Sequence, residues 1–265
     1  MKVVTNFDHN YHDDPIRYFK FEEFQDIAED SILFVGAHPH QSITEPVDVP
    51  KYFFSTEEQS WSQDGTDQYL PFVDKILTIC PPSVTGRQKR QAAFFPLNTK
   101  DIPSDIEKKY DVIYTGFAGG DHISKLLDVI KNFNYRLVSF SSHGGLTTDI
   151  NASYKDKLNL IAQSKLCITH NQTGTGTPQL KSRIFEAAFC KSLMLVLRDE
   201  YNIVEEWFTP EVDFIYYDMD NLEQTIKACL QEPEACEEIA NNAFNKAITN
   251  YTTEKFIKKY IGFKK

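Results

Sequence analysis

The sequence predicts an α/β protein made of two successive units, each a parallel sheet covered by helices, with the first unit cut short. Three observations carry this. Short runs rich in Val, Ile and Phe alternate with longer segments whose apolar residues recur at helical spacing, which is the pattern of βαβ units. A polar stretch with two prolines, PLNTKDIPSDIEKKY from Pro96 to Tyr110, breaks the alternation and reads as a linker or hinge. With 265 residues, 41% of them hydrophobic and 25% charged, the chain can bury one large core or two small ones.

In residues 1–98 the predicted strands are KVVTNF, SILFVGAH, KYFFSTEE, KILTICPP and AAFFPL, each bounded by turn residues. Between the first two, PIRYFKFEEFQDIAED spaces its apolar residues as a helix does, and SQDGTDQYLPFVDK opens with turn signals before one short helix. Residues 99–265 are more regular. DVIYTGF, YRLVSFS, KLCITHN, LMLVLRD and DFIYYDM are strands. GGDHISKLLDVIKNF, YKDKLNLIAQS, LKSRIFEAAFCKS, NLEQTIKACLQEP and EACEEIANNAFNKAITNY are helices, with a short one at NIVEEWF, and TEKFIKKYIGF closes the chain. This order belongs to a doubly wound sheet, in which ligands bind beyond the carboxyl ends of the strands.

Composition removes several function classes. A net charge of -10 argues against nucleic acid as the main ligand, since phosphate backbones need a basic footprint. The acidic excess falls mostly in residues 1–98, so a nucleotide fits the second unit better. No apolar run approaches the ~18 residues of a membrane span. The opening MKVVTNFDHNYHDD lacks the apolar core of a secretory leader, which predicts a cytoplasmic protein. The five cysteines are scattered without CxxC spacing and read as buried free thiols.

Three loops after predicted strands offer chemistry. The first is Gly116-Phe117-Ala118-Gly119-Gly120-Asp121, where glycines allow close approach of a phosphate to backbone N–H groups at a helix start. Its spacing is not GxGxxG and no acidic ribose partner follows, so a dinucleotide site is unsupported; a tight turn explains the glycines equally well. The second runs from Thr173 through Gly174 and Gly176 into a helix presenting Lys181, Arg183 and Glu186. A cation at a helix start suits a diphosphate, and a carboxylate one turn on can accept from two ribose hydroxyls. The bland alternative is an Arg183–Glu186 surface pair at i, i+3. The third, Ser141-Ser142-His143-Gly144-Gly145, lacks the GxSxG of a nucleophile elbow.

From Arg183 to about Ile257 the residues resemble the group-1 glycosyltransferases, in particular the spore-maturation (CgeB-like) branch. The stretches that carry the likeness are RIFEAAFCKSLMLVLRDE, NIVEEWF, DFIYYDMDNLEQTIKACLQEPEACEEIANNAF and NYTTEKF, with IYTGFAGGDHISKLLDVI upstream. The resemblance covers roughly residues 110–257. It implies a GT-B-like α/β fold of two Rossmann-like domains with a truncated N-terminal one, the first over 1–98 on the acceptor side, the second over 99–265 on the donor side. It further implies that Arg183 meets the donor diphosphate and Glu186 the ribose or sugar. Gly116, Gly119 and Gly120 would approach the phosphates, and Asn171, Tyr216 or Tyr217 would line the base or sugar pocket. The chain departs from the retaining pattern of two glutamates eight residues apart, because eight after Glu186 stands Met194.

The remaining motifs are weighed against that frame. Asp218-Met219-Asp220 imitates a metal-binding DxD, but its place before NLEQTIKACL predicts a helix N-cap. His38 and His40, just after the second strand, are candidates for the base that takes a proton from the acceptor, or are ordinary loop histidines. His9 and His12 read as surface residues. Most aromatics read as core, with Trp61 or Tyr69 left as candidates to stack on an acceptor sugar. The expected function is metal-independent transfer of a sugar from a nucleotide-sugar donor to an acceptor hydroxyl on a glycan, lipid or protein, without a cofactor. The competing expectation is a binding module that kept the fold and lost turnover.

Overall fold

The computed structural model describes residues 3–5, 31–36, 51–55, 74–80, 90–116, 121–139, 146, 148–149, 152–172 and 179–261. The described strands form two parallel five-stranded sheets. The first holds β1 (Val3–Thr5), β2 (Ser31–Gly36), β3 (Lys51–Ser55), β4 (Lys75–Thr78) and β5 (Arg90–Ala92), side by side in chain order. The second holds β6 (Tyr110–Thr115), β7 (Tyr135–Val138), β8 (Ser164–Thr169), β9 (Leu193–Leu197) and β10 (Phe214–Tyr217), in the order β10-β9-β8-β6-β7. Both are parallel throughout. The architecture is the α/β one that the alternation predicts.

The helices of the second unit are α1 (Asp121–Ile130), α2 (Tyr154–Ala162), α3 (Ser182–Phe189), α4 (Leu222–Gln231) and α5 (Pro233–Asn250). A short α6 (Thr253–Phe256) runs into a π-helical turn, Ile257–Ile261. Local chemistry marks several boundaries. Ser153 and Asp156 form a reciprocal capping box at the start of α2, and Pro233 opens α5 where no intrahelical N–H is needed. Asp218-Met219-Asp220 is a turn, but the cap position falls one residue later. Asn221 takes it, and its Oδ1 accepts from the Asp218 N–H at 2.9 Å instead of capping α4.

Period-2 alternation places every strand of the second sheet between two helical layers. Val112, Tyr114, Leu166, Ile168, Leu193 and Leu195 pack toward α1 and α4. Ile113, Cys167, Met194 and Val196 point the other way, toward α2, α3 and α5. All five residues of β9 are buried, as a strand covered on both faces requires. The crossover through α1 carries the chain from β6 to its neighbour β7, and the one through α2 returns it past β6 to β8. The winding therefore reverses between β6 and β8, and the crevice at such a reversal is where open α/β sheets hold ligands.

The chain's end ties the two units together. Leu97 accepts from Thr253 N and donates to Tyr251 O, and Phe54, Phe94 and Phe95 of the first unit share one aromatic cluster with Phe185, Trp207, Tyr251, Phe256 and Tyr260. Ring centroids lie 5.0 Å apart for Phe54–Phe256 and 5.1 Å for Phe94–Tyr251. Packing thus accounts for these aromatics, as the sequence predicts. The described cysteines are all free, four buried and Cys236 partly so. Among the described residues no helix is long and apolar enough to cross a membrane.

Candidate functional site

The crevice at the carboxyl ends of β6 and β8 is built around Arg183. Gly116 follows β6 with φ +137°, a conformation that favours glycine, while its N–H still donates to Val138 O at 2.9 Å. A Cβ at this position would come within 2.8 Å of Arg183 Cζ, so the missing side chain is what lets the guanidinium lie against the strand end. Arg183 reaches there from the first turn of α3, with its Cζ 5.1 Å from the centre of the Tyr114 ring. Its Nη1 is buried and has no hydrogen-bond partner among the described residues.

Around this cation the site is polar and poorly satisfied. Tyr217, buried at the end of β10, donates to Thr169 O at 3.4 Å. Burial and the neighbouring Tyr114 push its hydroxyl well up, against the pull of Arg183, so it stays a neutral donor. Two residues past β8, Asn171 is fully buried, and among the described residues neither its Oδ1 nor its Nδ2 has a partner. Its carbonyl accepts from Gln179 N at 2.8 Å, which closes the neck of the loop between them. Gln179 Oε1 accepts from Lys181 Nζ at 2.9 Å, leaving the buried Gln179 Nε2 without a partner among the described residues. Lys181 stands at the N-cap of α3 and its side chain makes no cap bond, so among the described residues no side chain caps the positive end of that helix.

Glu186 lies elsewhere. At 1% exposure it is inside the second unit, where Oε1 accepts from Lys157 Nζ at 2.8 Å and from Tyr154 OH at 3.2 Å. Burial, then the Glu186 carboxylate, raises the Tyr154 hydroxyl well above its usual range, so it too remains a donor. The Arg183–Glu186 surface pair is absent among the described residues: Glu186 takes Lys157 from α2, and Arg183 turns to the strand ends.

Of the residues predicted for the donor, the structure gathers Gly116, Asn171, Lys181, Arg183 and Tyr217 at one end of the second sheet. Gly119 and Gly120, the histidines His38 and His40, the Ser141–Gly145 loop, Trp61 and Tyr69 lie outside the described residues. Tyr216 is turned to Glu205, donating to its Oε1 at 3.1 Å, with the Arg198 guanidinium 4.3 Å over its ring. Tyr114, Thr169 and Gln179 are members that sequence reasoning missed. Tyr114 is next to last in β6 and Thr169 is last in β8, strands that read as core, and only their place just before a strand's end distinguishes them. Among the described residues no group of three or more His, Cys, Asp or Glu side chains is placed to share a metal ion.

Comparison with known proteins bears on the family and the fold. A family described as glycosyl transferase-like matches residues 125–262, just over half of the chain. No curated protein matches the sequence significantly. Among solved structures, S. aureus TarM superposes over 91% of this chain with a TM-score of 0.61 and 11% identity. The chain spans only 56% of TarM's length. Anabaena HepE, solved with UDP and glucose, matches 80% of this chain and 71% of its own, with a TM-score of 0.60 at 12% identity. Sucrose-phosphate synthase from Thermosynechococcus elongatus matches 89% of this chain and 73% of its own, with a TM-score of 0.60 at 11% identity.

Proposed function

Because the chain belongs to the glycosyl transferase-like family, we propose that it transfers a sugar from a nucleotide-sugar donor to an acceptor hydroxyl. One observation carries the reading. Arg183 is a guanidinium with a buried N–H unpaired among the described residues, held by Gly116 and Tyr114 at the reversal of a doubly wound sheet. A cation so placed, beside an uncapped helix start, fits the diphosphate of a donor and stabilises the charge that builds on it as the glycosidic bond breaks.

On this reading Asn171 and Gln179 complete their hydrogen bonds on the donor, and Tyr217 and Lys181 line the same pocket. Transfer needs neither a metal ion nor a cofactor, since Arg183 and the α3 amides supply the positive charge. The glycine loop through Gly119 and Gly120 extends the phosphate site. The acceptor sits against residues 1–98, and His38 or His40 takes the proton from its hydroxyl. Closing the two halves on the donor excludes water, so transfer outruns hydrolysis. Glu186 acts from behind: its bonds to Lys157 and Tyr154 hold α3 at the angle that delivers Arg183. The spore-maturation likeness over residues 110–257 and the division at residue 98 belong to the same proposal.

The test is calorimetric titration of the wild type, with and without EDTA, using UDP and UDP-glucose, the ligand chemistry solved with HepE. GDP and ADP serve as alternatives. Binding by one nucleotide that ignores EDTA and falls at least ~30-fold in Arg183→Ala supports the reading, the loss being that of a buried charged contact. Binding that survives in Arg183→Ala overturns the site assignment. Donor binding with no transfer to any acceptor supplied, in a folded protein, replaces the enzyme by a binding module.

A further inference from the structure

At the opposite end of the second sheet lies a cavity of about 500 Å³ that the donor site does not use. Its walls come from the linker (Ile102 and Ile106), the start of β8 (Leu166) and the adjoining ends of α3, α4 and α5. These are the amino ends of the strands. The length of β8 separates them from Asn171, roughly 20 Å for six residues. The volume is that of a small-molecule site, and the apolar part of the wall is aliphatic side chains, cysteines and Phe244.

Three lysines, Lys108, Lys165 and Lys191, break the apolar lining. Lys108 Nζ donates to Ser164 O at 2.9 Å and to Lys191 O at 2.6 Å. An ammonium has three N–H donors, and the third has no partner among the described residues. No carboxylate lies within ion-pair distance of it among the described residues. The charged groups around it are otherwise engaged or on the rim. Lys165 is paired with Asp111 at 2.8 Å, the Lys191 ammonium sits 4.5 Å over the Phe244 ring, and Asp105 and Glu237 are exposed. Cys190 and Cys167, the nearest thiols, stay protonated because burial pushes both up, Cys167 to about 12.

We propose that this cavity binds a small carboxylate with an apolar body, its carboxylate on the third N–H of Lys108 and its chain against Leu166, Ala240 and Phe244. A single unpaired donor in apolar surroundings suits one carboxylate oxygen, whereas a phosphate dianion requires several donors at once. Burial lowers the Lys108 ammonium to about 8, in keeping with a cation that has no counter-ion of its own. A bound carboxylate supplies that counter-ion. It also bridges the linker to α5, and so ties residues 102–106 to the second unit.

The experiment is calorimetric titration of the full chain at pH 7 with sodium octanoate, with 1-octanol and inorganic phosphate as probes of the tail alone and the charge alone. Saturable one-to-one binding of octanoate, at least tenfold tighter than either control, is expected. It should weaken at least tenfold at pH 10, where Lys108 is neutral, and by as much in Lys108→Met. Since Lys108 also satisfies two carbonyls, Ala240→Leu provides a second variant that narrows the cavity and leaves that ammonium in place; it too should lose octanoate. Absence of saturable binding overturns the proposal, as does octanol binding as well as octanoate or an affinity indifferent to both pH and Ala240→Leu. UDP binding serves as the check that each variant remains folded.

Discussion

The two ends of the second sheet each hold a partly buried cation, and they treat it oppositely. At the amino end Lys108 is received by the carbonyls of Ser164 and Lys191. At the carboxyl end Arg183 keeps a buried N–H with no acceptor among the described residues. Parallel winding explains the contrast. The helices that cross from strand to strand end at the amino ends of the strands, presenting carbonyl oxygens, and start at the carboxyl ends, presenting N–H groups. A cation at the first end finds acceptors in the backbone itself. At the second the helix ends offer donors instead, and on the proposed reading the acceptor is a bound anion. The lesson is that an unpaired cation locates a ligand only at the end where the backbone cannot supply an acceptor, unless, as at Lys108, a donor is left over.

The sharpest test of this contrast takes the carboxylate away from a buried cation that has one. Glu186→Ala strands Lys157 inside the protein and should cost about 3–5 kcal/mol, a loss of roughly 10 °C in Tm for a chain of this size; a melt within 2 °C of wild type would mean Lys157 finds other partners. Arg183→Ala comes next. It should abolish most nucleotide affinity while changing stability by less than about 1 kcal/mol, because among the described residues no hydrogen-bond partner is left unpaired; equal losses of both would make Arg183 a structural residue. Gly116→Ala should cost about 1–3 kcal/mol from strain at φ +137° and displace the guanidinium. Denaturant melts together with a UDP titration read both parts.

Lys108 predicts a smaller, pH-dependent signature. Its folded value, about 8, lies below the 10.5 of the unfolded chain, so the unfolded state holds more protons between those limits. Stability conferred at this site therefore rises from pH 8 to pH 10.5 in the wild type, and the rise is absent from Lys108→Met; parallel curves for the two proteins would show that the ammonium is not desolvated. The smallest effect belongs to the exposed Glu223–Lys227 pair on α4, where Lys227→Ala should cost no more than about 0.5 kcal/mol in chemical denaturation.

Much of the fold was legible because its signals are local. The run LMLVLRD reads as a strand, and Leu193–Leu197 forms one. YKDKLNLIAQS reads as a helix, and α2 starts at its Tyr154, behind the capping box of Ser153 and Asp156. The site was legible in part. Gly116 and Arg183 stand out by type and by position next to predicted strands, but nothing in the chain says that one lies on the other. Glu186 beside Arg183 on one helix looks like a second ligand contact, and instead turns inward. Its partner Lys157 is 29 residues away on another helix, beyond any spacing rule. The Asp218-Met219-Asp220 turn misled by one residue, since Asn221 competes for the same cap.

By itself, then, the sequence determined the order of strands and helices, the acidic character of the chain, and which residue types stand at the loops after strands, because periodicity, turn chemistry and charge act over a few residues. Tertiary structure alone decided that β8 lies beside β6 and not β7, that Gly116 makes room for Arg183, and that Glu186 is spent on Lys157. Each of these depends on which segments, distant along the chain, share the two faces of one sheet. That choice is made by the joint burial of apolar surface from all of them, and no single stretch contains it.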